Sequence, residues 1–250
     1  MITLANVTKR YGALAAVDSL DLEVPRGELF GFLGPNGAGK TTTIRMMMGI
    51  LKPTSGQVFL GGHDVEQEPE KAKALAGFIP DRPFIYEKLT GCEFLKFVGR
   101  LHHVEPERLL RRIAELLEHL ELTRWKDELV ESYSHGMKQR LVVCGALIHE
   151  PRILVVDEPM VGMDPKGSRT LKDLFRTLAE KGTTVFLSTH SISVAEEVCH
   201  RIGIIQRGRL IACGTMADLH SQAKNKNGNL ESVFLELTQD PPADAATPGR

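Results

Sequence analysis

Two kinds of hydrophobic spacing alternate along this chain of 250 residues. Residues 2–7 and 19–24 place apolar side chains at every second position. That is the spacing of strands with one face on a core and the other toward water, so it predicts a partly exposed antiparallel sheet. Residues 28–33, 153–156 and 183–187 are short apolar runs, the pattern of strands buried on both faces of a parallel sheet. Residues 57–60, closed by Gly61-Gly62, and 75–79, ending at Pro80, predict two more strands. Residues 202–206 and 209–213, joined around Gly208, predict a hairpin. Between 84 and 150 the period changes. Helical spacing dominates there, most clearly in residues 107–120 (ERLLRRIAELLEHL), where apolar side chains recur at three- and four-residue steps. Residues 42–50 read as a helix and 230–237 as a short amphipathic one, while 241–250 (PPADAATPGR) read as disordered.

The order of these segments predicts an α/β fold. A mixed, mainly parallel core sheet carries an N-terminal antiparallel β subdomain, and a helical subdomain is inserted into the middle of the chain. A hydrophobic content of 42% is enough for a full core in one or two domains. A formal net charge of -1 argues against a dedicated nucleic-acid binder. No apolar run approaches the roughly 18 residues needed to cross a bilayer, and the first ten residues lack a signal-peptide core, which places the chain in the cytosol. Cys92, Cys144, Cys199 and Cys213 form no C-x-x-C pair and read as small core residues, with no metal or disulfide expected from them. Met46, Met47 and Met48 read as core packing.

The chemistry concentrates at Gly34-Pro35-Asn36-Gly37-Ala38-Gly39-Lys40-Thr41, a full match to G-x-x-x-x-G-K-[ST] between a strand and a helix. Glycines at 34, 37 and 39 let successive backbone N–H groups turn inward, and the following helix start adds partial positive charge. These residues and Thr42 are the candidate nucleotide contacts. Lys40 is expected to reach the β- and γ-phosphates and the Thr41 hydroxyl to ligate Mg²⁺. A chance glycine-rich turn is the competing reading, and the strand–loop–helix context disfavours it.

Residues 153–159 (ILVVDEP) add two carboxylates at the end of a buried strand. A side chain there faces the ligand crevice of a parallel sheet. Asp157 is placed to hold Mg²⁺, and Glu158 to orient an attacking water. Ser188-Thr189-His190 ends the next apolar run. His190 is in place for a hydrogen bond to the γ-phosphate, although alone it reads better as a structural histidine. The other eight histidines read as surface residues. Tyr11 is a candidate to stack on a base, with strand-end packing as the alternative.

These pieces, in this order, resemble the ATP-binding subunits of ATP-binding cassette (ABC) transporters. The most specific is residues 133–140 (YSHGMKQR), which resemble the family signature LSGGQ and its basic helix. The resemblance covers roughly residues 2–213. It implies ATP and Mg²⁺ as ligands and a homodimer, or a pseudo-symmetric dimer, closed around two ATP molecules. Each ATP would lie between Lys40 of one chain and the Ser134 hydroxyl and Gly136 amide of the other, with Asp164 also at the nucleotide. It further implies a division into core (1–83 and 151–220), helical signature subdomain (84–150) and C-terminal helix and tail (221–250).

Three departures from the family pattern stand out. Asp81 replaces a glutamine that contacts Mg²⁺ or the attacking water, and is carried over as a metal-site residue. His135 and Met137 replace the signature's Gly and Gln, so the His135 side chain must point away from ATP. Val161 replaces a serine in the loop before Asp164. The signature, together with residues 86–90 (YEKLT), is most similar to the bacterial subfamily serving two-component exporters of drugs, antibiotics or peptides. That similarity implies a separate integral membrane permease subunit and a peripheral position on the inner face of the cell membrane, with no nucleic acid bound. Phe84, Ile85 and Tyr86 are candidate contacts to the permease, with packing inside the helical subdomain as the equal alternative. The rival functions are a soluble ABC ATPase acting on ribosomes or DNA, and a cassette that binds ATP without hydrolysing it.

Overall fold

In a computed structural model, residues 1–82, 84–160, 162–222, 231–232 and 234–235 are described. The expectations for Val161 and the C-terminal tail therefore lie outside the described residues. In chain order the elements are β1 (Ile2–Tyr11), β2 (Leu14–Val24), β3 (Leu29–Leu33), α1 (Lys40–Met47), β4 (Ser55–Leu60), β5 (His63–Asp64), α2 (Pro69–Ala74) and β6 (Ala76–Ile79). Then come α3 (Gly91–Leu101), α4 (Pro106–His119) and α5 (His135–Leu147), with two 3₁₀ turns between α4 and α5. The chain ends with β7 (Ile153–Asp157), α6 (Pro165–Glu180), β8 (Thr184–Thr189), α7 (Ile192–Val198), β9 (Arg201–Gln206), β10 (Arg209–Gly214) and α8 (Met216–Gln222). Residues 231, 232, 234 and 235 are also helical.

The expected two sheets form. One is antiparallel, in the order β2-β1-β4-β5. The other runs β10-β9-β3-β8-β7-β6, parallel throughout except for the β9–β10 hairpin. Every residue of β3, β7 and β8 is buried, which is why those strands read as unbroken apolar runs. Phe186 on β8 stacks on Phe30 and packs at a tilt against Phe32 on β3, with ring centroids 5.7 and 5.2 Å apart. Each such pair contributes about 0.5–1.5 kcal/mol beyond its burial.

The apolar core of the helical insertion is continuous with one face of the large sheet. Leu116, Leu141 and Phe94 belong to the same cluster as Leu154, Val156 and Leu187. The tightest joint is at Gly77, where an added Cβ would lie 2.3 Å from the Ala146 carbonyl of α5. Beside it His149 bonds the Ala76 carbonyl through Nε2 at 3.2 Å, and its ring stacks on that of His102, with centroids 3.7 Å apart. The reading of His149 as a surface residue is therefore corrected. Burial pushes its imidazole down to about 4 from the ordinary 6.5. Met46, Met47 and Met48 are buried as expected, and Cys144 is fully buried.

Candidate active site

Strand register brings the chemistry together. Leu33 pairs with Thr189, Asp157 with Ser188, and Ile79 with Val156. The C-terminal ends of β3, β8, β7 and β6 therefore lie in a row, about 4.8 Å from strand to strand. From that edge emerge the loop at Gly34, His190, the Asp157-Glu158 pair and Asp81. Such an edge is where parallel sheets bind ligands.

The loop between β3 and α1 is shaped by backbone needs that only glycine meets. Gly37 and Gly39 have φ of 80° and 110°. A Cβ on Gly39 would also sit 2.5 Å from the Ala16 carbonyl, so β2 packs directly against the loop. Asn36, Gly37, Gly39, Lys40, Thr41 and Thr42, with Ala16, Asp81 and Glu158, line a cleft of about 260 Å³; the expected contacts Gly34, Pro35 and Ala38 do not line it.

Lys40, the first residue of α1, is 7% exposed. Its Nζ donates to the carbonyls of Gly34 at 2.7 Å and Pro35 at 3.2 Å, and lies 3.6 Å from Glu158 Oε1. The same Glu158 oxygen is 2.9 Å from His190 Nδ1. Glu158 sits in the left-handed region at φ 47°, held there by its N–H bond to the Ser188 carbonyl. The structure thus places Lys40, Glu158 and His190 in one contact chain.

Thr41 Oγ1 donates to Asp157 Oδ2 at 3.0 Å. Asp157 is 2% exposed, and its Oδ1 is buried with no hydrogen-bond partner among the described residues. Burial pushes the Asp157 carboxyl up, against the pull of the Ser188 and Thr41 hydroxyls; the Asp81 and Glu158 carboxylates push it further. A buried, under-satisfied carboxylate beside a hydroxyl fits a hard divalent cation, which would relieve both costs.

Other expected site residues lie apart from the cleft. Tyr11 is half exposed at the β1–β2 turn with the Lys9 ammonium over its ring, and does not line the cleft. Ser134 is the N-cap of α5 and accepts the Met137 N–H at 3.3 Å. Gly136 faces open space, with nothing within 4 Å of an added Cβ. Asp164 caps α6 through the Gly167 N–H. Ala16 was not legible as a cleft residue, because only tertiary packing of β2 brings it there.

A second concavity, of about 380 Å³, lies between the sheet and the helical insertion, lined by Phe84, Phe94, Val98, His102, Met48 and Ile50 among others. The three candidate contact residues divide. Phe84 is 89% exposed and Tyr86 55%, with its ring edge-on to Phe97, whereas Ile85 packs against the core.

A family model described as ABC transporter matches residues 17–161. The daunorubicin resistance ATP-binding protein DrrA3 of Streptomyces coeruleorubidus is 39% identical over 238 residues, covering 95% of this chain and 75% of that one. The linearmycin resistance ATP-binding protein LnrL of Bacillus subtilis is 39% identical over 222 residues, 89% of this chain and 71% of that one. A solved dimeric ATP-binding cassette in a post-hydrolysis state bound to ADP and Pi superposes with a TM-score of 0.78 at 27% identity, covering 86% of this chain and 98% of that one.

Proposed function

This chain belongs to the ABC transporter family, and we propose that it is the ATP-hydrolysing subunit of an exporter whose membrane-spanning part is a separate chain. The observation that carries the reading is the convergence of Lys40, Thr41, Asp157, Glu158 and His190 at one sheet edge, with Ser134 and Gly136 at the capped start of α5 elsewhere. Relatives named for drug and antibiotic resistance favour transport over work on ribosomes or DNA.

In this reading the residues 34–42 wrap the phosphates and Lys40 exchanges its carbonyl partners for β- and γ-phosphate oxygens. Thr41 and Asp157, with Asp81 beside them, would hold Mg²⁺, which when bound neutralises phosphate charge. Glu158, released by Lys40, accepts a hydrogen bond from the attacking water. As the water's oxygen bonds to the γ-phosphorus its proton passes to Glu158, the bond to the bridging oxygen breaks, and ADP departs with the electron pair, leaving inorganic phosphate. His190 supports Glu158 and donates to the γ-phosphate. Tyr11, outside the cleft that holds the phosphates, would stack on the base.

Two copies face each other so that each ATP also meets Ser134 and Gly136 of the partner subunit, with Asp164 at the same interface. Closure around ATP and reopening after hydrolysis move the groove under Phe84 and Tyr86, which receives a helix of the permease. Among the described residues no helix is long and apolar enough to cross a membrane. The transporter family and its drug-resistance relatives support a peripheral position on the inner face of the membrane, and the formal net charge of -1 favours no nucleic-acid partner. The cargo is of the drug, antibiotic or peptide class, and the boundaries 1–83, 84–150, 151–220 and 221–250 divide the chain by task.

The test is Glu158→Gln. With ATP and Mg²⁺ it forms a dimer by size-exclusion chromatography with light scattering, ADP does not drive it, and turnover falls about 10²–10⁴-fold. Normal turnover in this variant contradicts the assignment.

A further inference from the structure

The phosphate cleft carries more negative than positive side-chain charge. Lys40 is the one side-chain cation among the described residues that line it, whereas Asp81 and Glu158 both line it. Asp157 adjoins the cleft through the Thr41 hydroxyl, at 3.0 Å. Glu158 is already engaged, by Lys40 at 3.6 Å and by His190 at 2.9 Å. Asp81 is not. It is exposed, and among the described residues no hydrogen bond or ion pair occupies it.

Strand register explains its position. β6 pairs with β7 through Ile79 and Val156. Pro80 then carries the chain past the sheet edge, so Asp81 emerges beside the Asp157-Glu158 pair. Its charge acts on the Asp157 carboxyl in the same direction as that of Glu158. Arg82, next along the chain, does not line the cleft. The N–H groups of the loop and of the α1 start supply only partial positive charge. A triphosphate entering without a cation therefore meets two carboxylates and one ammonium. A glutamine at this position, as in the pattern the chain resembles, would carry no charge.

We propose that Asp81 makes ATP binding conditional on a divalent cation, an inference that rests on the nucleotide reading given above. Without the cation, the Asp81 carboxylate repels the phosphates. With Mg²⁺ held at Thr41 and Asp157, the same carboxylate faces a positive charge and its repulsion turns to attraction. Asp81 is thus a specificity-determining residue that separates metal-bound nucleotide from bare nucleotide.

The experiment is isothermal titration of the full chain with ATP, in Mg²⁺ and in EDTA, for the parent, Asp81→Asn and Asp81→Glu. Metal binding by free ATP is common to all three proteins and cancels in the comparison. In Asp81→Asn the metal-free affinity rises about 10-fold and the affinity with Mg²⁺ falls about 3-fold, so the ratio of the two narrows about 30-fold. The metal-free gain shrinks severalfold between about 0.05 and about 0.5 M salt, because it comes from charge; a change of loop shape would not respond to salt in this way. Asp81→Glu keeps the charge and the parent ratio. An unchanged ratio in Asp81→Asn overturns the role of Asp81. A ratio that narrows equally in Asp81→Glu, or a gain indifferent to salt, overturns its basis in charge. Failure of the parent to bind ATP even with Mg²⁺, or undiminished binding in Lys40→Ala, overturns the nucleotide reading and this inference with it. Binding by the parent that is weakened in Lys40→Ala keeps that reading, whatever Asp81 does.

Discussion

Replacing Lys40 with alanine removes a nearly buried cation whose partners in the nucleotide-free protein are already good. Nζ holds the Gly34 and Pro35 carbonyls at 2.7 and 3.2 Å and lies 3.6 Å from Glu158. ATP therefore gains only the difference between the new and old partners. Two charge-assisted bonds to the β- and γ-phosphates contribute about 3–6 kcal/mol, and the two carbonyl bonds given up offset roughly 2 kcal/mol of it. The net loss in Lys40→Ala is about 3 kcal/mol, or ~10²-fold in Kd for ATP. ADP keeps only the β-phosphate bond to lose, so its affinity falls by about 1 kcal/mol, or ~5-fold. Glu158, 16% exposed, keeps His190 at 2.9 Å. The fold then loses about 1–2 kcal/mol and survives. Isothermal titration with ATP and with ADP, each with Mg²⁺, reads both affinities, and urea unfolding reads stability. An ATP affinity within about threefold of the parent refutes the reasoning, as do equal losses for ATP and ADP.

Three further outcomes are expected. Gly77→Ala drives a methyl into the Ala146 carbonyl at 2.3 Å and costs about 1–3 kcal/mol by urea unfolding; a variant as stable as the parent contradicts the close joint between β6 and α5. His149, held neutral by burial, contributes stability that is complete above pH 6.5 and is lost as pH falls toward about 4. His149→Gln keeps a donor for the Ala76 carbonyl and has no proton to gain, so it loses about 1–2 kcal/mol less across that window, allowing for partial exposure; identical pH profiles contradict this. Phe84→Glu with Tyr86→Glu changes stability by less than about 0.5 kcal/mol, because both rings are solvent-facing, and abolishes capture of the permease; unfolding would assign them to packing.

What could be read from the sequence divides by range. The phosphate loop was legible because its geometry is set by glycines and a lysine within eight residues. Strands β3, β7 and β8 were legible because burial on both faces leaves an unbroken apolar run. Helices α6 and α7 were not assigned, although Asp164-Pro165 and Ser191 are helix-start signals and Leu171, Leu174, Phe175 and Ala179 of α6 keep helical spacing. The burial of His149 was not legible because its cover comes from His102, just past the end of α3 and far away in sequence. The same holds for Ala16 in the cleft, where sequence separation hides the contact. Asp81 was placed by resemblance, and the structure brings it to the cleft between the loop and Glu158.

The account's central claim is that this ATPase drives a membrane partner. It is tested most directly by purifying the tagged chain from membranes, with and without ATP, and identifying what comes with it at equal stoichiometry. The account predicts one integral membrane protein, lost when Phe84 and Tyr86 are both replaced by glutamate. Ribosomes or nucleic acid as the stoichiometric partner would contradict it.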